Sequence, residues 1–526
     1  MTPAIPPVLI AIGFALLVLA LAALARRLPI PTPILQVIAG MVIGLVSGRA
    51  IPPLEPELVF LVFLPPILWS AAYGTSLRDF KANLRPIALL SIGLVLATTL
   101  AVAVAARALV PGLPWAVAIA LGAIVSPPDA IAAEAIITRL PVPRRVIAVL
   151  AGESLVNDAS ALILYRAAVV AAVTGYFSAG EALVRFFVAA GIGILVGLFA
   201  GWLVLHAIVL ARDVVAGVLI GLLGPYVAWV AAESLHVSAV LACVAGGLYV
   251  RQQSSISVAP TIRVQSKSVW DLFIFLLNAA IFVLLGVQFG RLMESLPAGS
   301  LLQVARTGLV ISAVAIAVRL AWVPAAAVLP RWLSQELRRR DPIPPPSVIF
   351  LVSWTSMRGI VSLAAALGLP LVLADGRPFP YRSEIILVTA CVIVVTLVLQ
   401  GLTLEPLVRW LRFAPENGLA REEHFARGEA LRHGLEKLED LADEPWAARA
   451  DVDRLRQELG ERIRRHREHG PGQREADRRL QRELLAAERR ELVRLRNEDA
   501  ISDAVLVALE EELDLEALRI GAADGA

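Results

Sequence analysis

Thirteen runs of predominantly apolar residues follow one another between residues 7 and 411. They fall at about 7–25, 33–49, 57–73, 86–109, 114–137, 146–174, 182–211, 214–234, 236–251, 269–294, 302–329, 346–374 and 384–411. A helix needs roughly 17 to 25 such residues to cross a hydrocarbon core about 30 Å thick. The sequence therefore predicts an all-α polytopic membrane protein of about thirteen transmembrane helices. Composition agrees, since 58% of the 526 residues are hydrophobic and the mean hydropathy is +0.73, against an apolar share of about 45 to 50% in soluble domains.

Charge divides the chain into two materials. Residues 1–412 carry 28 Lys and Arg against 17 Asp and Glu, a net +11, whereas 413–526 carry 20 against 28, a net −8. The overall +3 hides both, so the basic balance gives no reason to expect a nucleic-acid partner. The predicted organisation is a transmembrane domain over 1–412 and a charged helical domain over 413–526. In the latter, Leu480, Leu484, Leu485, Leu492 and Leu495 stand at helical spacing, and 502–518 reads as a further helix. Loops after the odd-numbered runs hold sixteen Lys and Arg, among them Arg85, Arg145 and Arg338 to Arg340, against five in the alternate loops. By the positive-inside rule the N-terminus is expected outside and the tail in the cytoplasm of a cell (inner or plasma) membrane. The first run is expected to stay as a spanning helix, since Met1 to Pro7 lack the basic residues of a secretory signal. Cys243 and Cys391 both lie in apolar runs, so neither a disulfide framework nor a thiolate metal site is expected.

Two runs look broken. In the fifth, Val125-Ser-Pro-Pro-Asp-Ala130 puts Pro127 and Pro128 in mid-span, where their missing N–H groups free the carbonyls of Ala123 and Ile124. In the twelfth, Val352-Ser-Trp-Thr-Ser-Met-Arg-Gly359 inserts hydroxyls, an arginine and a glycine. Free carbonyls persist in a bilayer only where they line a cavity or bind something. Paired interruptions in the two halves of a chain point to a transporter of inverted repeats with its site near the midplane.

The sixth run holds Gly152-Glu-Ser-Leu-Val-Asn-Asp-Ala-Ser-Ala161, two carboxylates in a segment otherwise suited to lipid. An ionisable group at that depth costs roughly 2.5 to 3.5 kcal/mol on insertion scales and marks function by default. Ser154 and Asp158 share one helical face, and Glu153 and Asn157 the adjacent one. A hard monovalent cation needs oxygen ligands, and Asp158, Asp129, Asn157, Ser154 and Ser126 supply them, with Asp158 and Ser154 the expected ligands of Na+. No histidine falls in the fifth, sixth or twelfth run, which argues against a transition metal. Burial would let a proton compete with the cation for the Asp158 carboxylate. The bland alternatives are an interhelical hydrogen bond for Asp158, a helix cap for Asp129, and helix-packing contacts for Ser126, Ser154 and Asn157. Arg358 needs a partner at its depth, and Glu153 or Asp129 is the candidate; a structural ion pair of Glu153 with Arg358 is expected. Arg306 and Arg319 are expected to snorkel, and Arg166, Glu134, Glu233 and Asp271 to be structural.

These residues resemble a known family. Ser126-Pro-Pro-Asp-Ala-Ile131, Gly152 to Ser160 with Leu164-Tyr-Arg166, Phe275-Leu-Leu-Asn278 with Leu284-Leu-Gly286, Ser353 to Ser362 and Val395 to Gly401 are together similar to the motifs of the monovalent cation/proton antiporters, in the branch of bacterial Na+/H+ exchangers. The resemblance implies that Asp158 carries cation and proton in turn, with Ser154 a ligand, Asp129 in the unwound part of the fifth span and Glu153 paired to Arg358. It implies one-for-one, electroneutral exchange, because Asn157 precedes Asp158 where electrogenic members have a second aspartate. It also implies a homodimer with an elevator-like core, and no cofactor beyond the transported Na+ and H+. Two positions depart from the pattern: Pro128 stands where threonine is usual, and Trp69-Ser70 where some relatives carry a glutamate.

Exchange of Na+, K+ or Li+ for protons is the leading reading. A pH-gated cation channel or membrane sensor would use the same buried carboxylate, and coupling of the two fluxes separates them. An enzyme is not expected, because no phosphate-cradling Gly loop or intramembrane catalytic pair is present.

Overall fold

The computed structural model describes residues 7–25, 27–28, 30–47, 59–129, 140–176, 179–294, 301–413, 418–445 and 447–468, with isolated residues between 133 and 137 and between 481 and 516. The chain separates into two compact units, Met1–Ala414 and Pro415–Ala526. Regular structure among the described residues is helical, apart from one bridge between Val372 and Pro378.

In chain order the first unit has α1 (Pro7–Ala25), α2 (Thr32–Ser47), a π-helical turn (Val59–Phe63) leading into α3 (Leu64–Gly74), α4 (Leu77–Ala82), α5 (Leu84–Leu109) and α6 (Trp115–Val125). Then come α7 (Arg144–Thr174), α8 (Ala179–Ala211), α9 (Val214–Ser234), α10 (Ala239–Ser257), α11 (Pro260–Glu294) and α12 (Leu301–Leu333). The short α13 (Gln335–Arg340), the pair α14 (Pro346–Trp354) and α15 (Ile360–Leu367), and α16 (Arg382–Leu411) complete it. Of these, α5, α7, α8, α9, α11, α12 and α16 are long and apolar enough to cross a membrane, and α1, α2, α3 and α6 are shorter apolar helices. With α10 and the α14–α15 pair they fill the thirteen apolar runs in order.

Polar caps fix where several of these helices begin. Asp213 accepts from the Ala216 N–H (2.7 Å) at the start of α9, and Ser238 from the Leu241 N–H (3.3 Å) at the start of α10. Each satisfies a donor that the first turn leaves without a helical partner.

Packing sorts the helices into two bundles. One is α2, with α1 on it, together with α3, α8, α9, α10 and α11; the other is α5, α6, α7, α12, α14, α15 and α16. The bundles touch chiefly where α7 meets α3 and α10, and where α2 and α11 meet α15 and α16. The first is closed by small residues. Gly40 and Gly44 of α2 lie against the backbone of Val283 and Val287 of α11, while Gly286 and Gly290 of α11 lie against the backbone of Val37 and Met41 of α2, so a Cβ at any of the four would collide with main chain. Lipid offers no hydrophobic drive between helices, and close backbone approach of this kind supplies van der Waals packing instead.

The second bundle joins spans four to six (α5, α6, α7) with spans eleven to thirteen (α12, α14–α15, α16). In each triplet the middle member is the interrupted one. The triplets are seven spans apart, an odd number, so they run in opposite directions through the membrane and form an inverted repeat. Their shared core includes Val102 of α5, Val117 of α6, Ile311 of α12, Ala366 of α15 and Val392 of α16.

In the second unit α17 (Gly418–Leu441) and α18 (Arg449–Glu468) are joined by a bidentate ion pair, Arg456 Nε to Glu439 Oε1 (2.7 Å) and Nη2 to Oε2 (2.8 Å). Leu480 lies outside the described residues, as does most of 502–518, whereas Leu484, Leu485, Leu492 and Leu495 are helical.

Candidate ion-binding site

Both interruptions fall where the sequence puts its helix breakers. α6 stops at Val125, and Ser126 to Asp129 continue without helix; α14 stops at Trp354, and Thr355 to Gly359 have no regular structure until α15 begins. The two non-helical segments meet. The Asp129 N–H donates to the Met357 carbonyl (2.6 Å), and Arg358 Nε donates to the Val125 carbonyl (3.0 Å). Carbonyls released by the breaks are thus taken up by the opposite break, as a low-dielectric interior requires. Gly359 makes the approach possible: a Cβ there would land on the Asp129 carboxylate.

α7 supplies the remaining groups. Asn157 is fully buried, and its Nδ2 donates to the Pro128 carbonyl (3.1 Å), tying the first break to α7. Its Oδ1 is buried with no partner among the described residues. Asp158 is 7% exposed, and its carboxylate makes no hydrogen bond or ion pair among the described residues. Asp158 and Asp129 are electrostatic neighbours. Ser126 is buried and donates its hydroxyl to the Ala123 carbonyl (3.1 Å), one of the two acceptors freed by the prolines, so its oxygen keeps lone pairs but its proton is engaged.

Ser154 lines a cavity of about 40 Å³ together with Asp129, Pro128, Glu153, Arg319 and Thr355. That is more than the roughly 10 to 15 Å³ needed to admit a water, and so admits a small ion as well. Asp158 is not among the lining residues; it lies one helical turn along α7 from Ser154. The structure therefore gathers Asp129 and Ser154 around one small cavity and places Asp158 and the Asn157 amide oxygen beyond it.

The expected pairing of Glu153 with Arg358 is not the one formed. Glu153 is held by Arg319, whose Nη1 donates to Oε1 and Nη2 to Oε2 (2.8 Å), while Nε reaches the Val352 carbonyl of α14 (3.1 Å). Arg319 does not snorkel; it is 1% exposed. Arg358 is satisfied by neutral oxygens: the Val125 carbonyl, and the Ser356 carbonyl and hydroxyl, both reached by Nη1. The reason is local. Arg358 stands inside a non-helical segment, next to carbonyls that have lost their helical donors, whereas Arg319 stands on the helix α12, opposite Glu153 of α7. Its position was the missed signal, since residue 319 falls well inside the run 302–329, too deep for its head to reach water.

Sequence reasoning also passed over α16. Thr389, Thr396 and Gln400 are fully buried, at spacings of seven and four that put them on one face. The Thr396 hydroxyl accepts from the Arg358 N–H (3.1 Å) and so positions the second break. Of the remaining charged groups, Arg166 pairs with Glu233 (2.8 Å) and Lys267 with Asp271 (3.2 Å), Arg306 is exposed, and Glu134 lies outside the described residues.

Among the described residues no three His, Cys, Asp or Glu side chains gather as a metal site. The groups available are oxygens of carboxylate, amide and hydroxyl type, suited to an alkali cation as cargo. Two crossed broken helices from inverted repeats, with carboxylates at their junction, define a secondary transporter of small ions rather than an enzyme. Comparison gives the family. The model of the transmembrane sodium/hydrogen exchangers matches residues 13–410, and the chain belongs to that family of antiporters. An uncharacterised Na+/H+ exchanger of Mycobacterium tuberculosis is 35% identical over 520 residues, covering 94% of this chain and 93% of that one. A sodium, potassium, lithium and rubidium/H+ antiporter of Bacillus subtilis is 34% identical over 389 residues, 71% of this chain and 57% of that one. The sodium proton antiporter MjNhaP1 of Methanocaldococcus jannaschii shares the fold, with a TM-score of 0.58 over 77% of this chain and 99% of that one at 20% identity.

Proposed function

We propose that this antiporter exchanges Na+, or K+ or Li+, for protons one for one, with Asp158 carrying cation and proton in turn. The observation that supports this most is a buried carboxylate in the middle of a spanning helix that forms no hydrogen bond or ion pair among the described residues. Such a group is costly as a bare anion and needs a proton or a cation to neutralise it. A stoichiometry of one goes with a single exchanging carboxylate: Glu153 and Arg319 cancel, and one proton or one monovalent cation neutralises Asp158. Asp129, Ser154, Ser126 and the Asn157 amide oxygen serve as the further oxygen ligands, with Asp158 and Ser154 holding Na+.

The multi-pass chain is read as a homodimer in the cell membrane, with its N-terminus outside and its acidic tail in the cytoplasm, in keeping with the excess of Lys and Arg in the loops on the tail's side. The test uses everted vesicles from a host lacking its own antiporters, with an acid interior and with Na+, K+ or Li+ added in turn. Wild type collapses the pH gradient with at least one cation, while Asp158→Asn at equal expression does not. Absence of cation-dependent proton flux in wild type between about pH 6 and 9, the range into which burial can move a carboxylate, would end the exchange reading.

A further inference from the structure

A cavity of about 930 Å³ lies between the two bundles. α7 lines one side with Ala159, Leu162, Tyr165 and Arg166, and the other side comes from the first bundle, with Trp229 and Glu233 of α9 among its residues. Ala159 follows Asp158 directly, so the cavity reaches to within one residue of the proposed carrier carboxylate. Arg166 stands two turns further along the same helix, and its Nη2 donates to Glu233 Oε1 at 2.8 Å. Among the ion pairs formed between described residues, this is the one that joins the two bundles. Its side chains are 56% and 39% exposed, so neither is locked in place by packing.

An exchanger has to show one site to each side of the membrane in turn. A ligand-driven change between such states is carried by contacts that differ between them. The interior of each bundle is held by the glycine seam in one and the meeting breaks in the other, whereas the boundary between them is packed mainly by apolar side chains, which can slide without breaking a polar contact. Relative movement therefore belongs at that boundary, and a displacement of one helical turn, about 5.4 Å, exceeds what an ion pair can follow without parting.

We infer that Arg166 and Glu233 form a latch across the bundle boundary, closed in the state in which this cavity leads toward Asp158 and opened once in every transport cycle. The inference rests on the exchange reading. Arg166 acts here through α7, not by touching the ion; the guanidinium also holds positive charge at the cavity wall, so that while the latch is closed Glu233 is engaged and unavailable to a passing cation.

The test fixes the latch shut. Arg166→Cys and Glu233→Cys are introduced together in a background where Cys243→Ala and Cys391→Ala remove the native thiols, and the pair is joined by a short, reducible bis-methanethiosulfonate. The spacer is needed because an arginine–glutamate contact leaves the two Cα atoms too far apart for a direct disulfide. Linked protein is expected to lose at least tenfold in Na+-dependent proton flux in vesicles and to regain it on reduction, with each single-cysteine variant unaffected by reagent. Complete linkage, verified by mass, with unchanged flux overturns the latch. If the thiol-free background is inactive, the charge swap decides: Arg166→Glu with Glu233→Arg should restore the apparent KM for Na+ that Arg166→Glu alone shifts severalfold, and no recovery overturns it. Wild type without cation-dependent flux in the same vesicles sinks the exchange reading itself, a result distinguishable from flux that survives the link.

Discussion

Arg319 of α12 holds both carboxylate oxygens of Glu153 of α7, with each side chain only 1% exposed. The pair ties the two halves of the inverted repeat together beside the break of α14, because the same guanidinium also reaches the Val352 carbonyl. Removing one member leaves the other charged and unpaired, which costs about 3 to 5 kcal/mol for a buried pair. Glu153→Gln and Arg319→Met should each lower the unfolding free energy of the purified protein by amounts in that range. The double substitution Glu153→Met with Arg319→Met should cost less than the sum, since no bare charge remains. Additive losses in that double-mutant cycle would show that the two side chains are not energetically coupled.

Much of the transport bundle is legible in the sequence, and the reason is that proline and glycine act locally. Pro127 and Pro128 remove two successive helical donors and so mark the break after Val125, whereas the single prolines Pro225, Pro324, Pro330 and Pro406 sit inside helices that continue. The second break follows in the same way from the Ser-Trp-Thr-Ser-Met-Arg-Gly run. Partner choice is different, because it depends on which helix lies opposite. Glu153 and Arg319 are separated by 166 positions, and nothing near either one names the other. The face of Thr389, Thr396 and Gln400 lies between: its helical spacing is in the sequence, but its contact with Arg358 appears only once α16 is folded against the break.

Gly359 provides a steric test of the junction. A methyl group there falls on the Asp129 carboxylate, and relief would need the two broken segments to separate and release the Asp129–Met357 hydrogen bond. Displacement of about 1 Å at such a site can cost on the order of 100-fold in rate. Gly359→Ala should therefore reduce cation-dependent proton flux at least tenfold at unchanged expression. Gly13→Ala, where nothing lies within 4 Å, should leave it unaltered. Equal flux in the two variants would mean that close approach of the breaks is not needed for transport.

At one end of the transport bundle Asp341 collects three guanidinium groups. Arg145 Nη2 reaches Oδ1 at 2.8 Å, and Arg331 Nη2 (2.6 Å) and Arg85 Nη2 (3.1 Å) reach Oδ2. Partial burial favours the protonated carboxyl, but the hydrogen bond and charge of Arg145, with the charges of Arg331 and Arg85, outweigh it and hold the group below the usual carboxylate range. A pKa lower in the folded state contributes stability above the unfolded value, lost as pH falls through the folded one. Asp341→Asn should thus lower stability by about 1 to 2 kcal/mol, a figure kept small because Asp341 is 26% exposed and solvent screens the cluster. The deficit should be constant above about pH 5 and shrink below about pH 4, where an ordinary Asp takes up its proton. Unfolding midpoints of wild type and variant that run parallel down to pH 3 would contradict this.

Proton and cation, on the proposed mechanism, compete for the same Asp158 oxygens, and the competition has a kinetic form. Occupancy by one excludes the other, so acid raises the apparent KM for Na+ without changing the rate reached at saturating Na+. Where the proton dominates, mass action with a single competing proton sets the slope at about tenfold in KM per pH unit. Two protons on Asp158 and Asp129 together would make it about a hundredfold per unit, and a cation bound at a separate place would leave KM flat. Asp158→Asn removes the shared group, so any flux that persists in that variant should show no such slope. Initial rates against Na+ concentration at several pH values, with the pH equal on both sides of the vesicle, distinguish these cases. A slope near one ties the coupling to a single carboxylate.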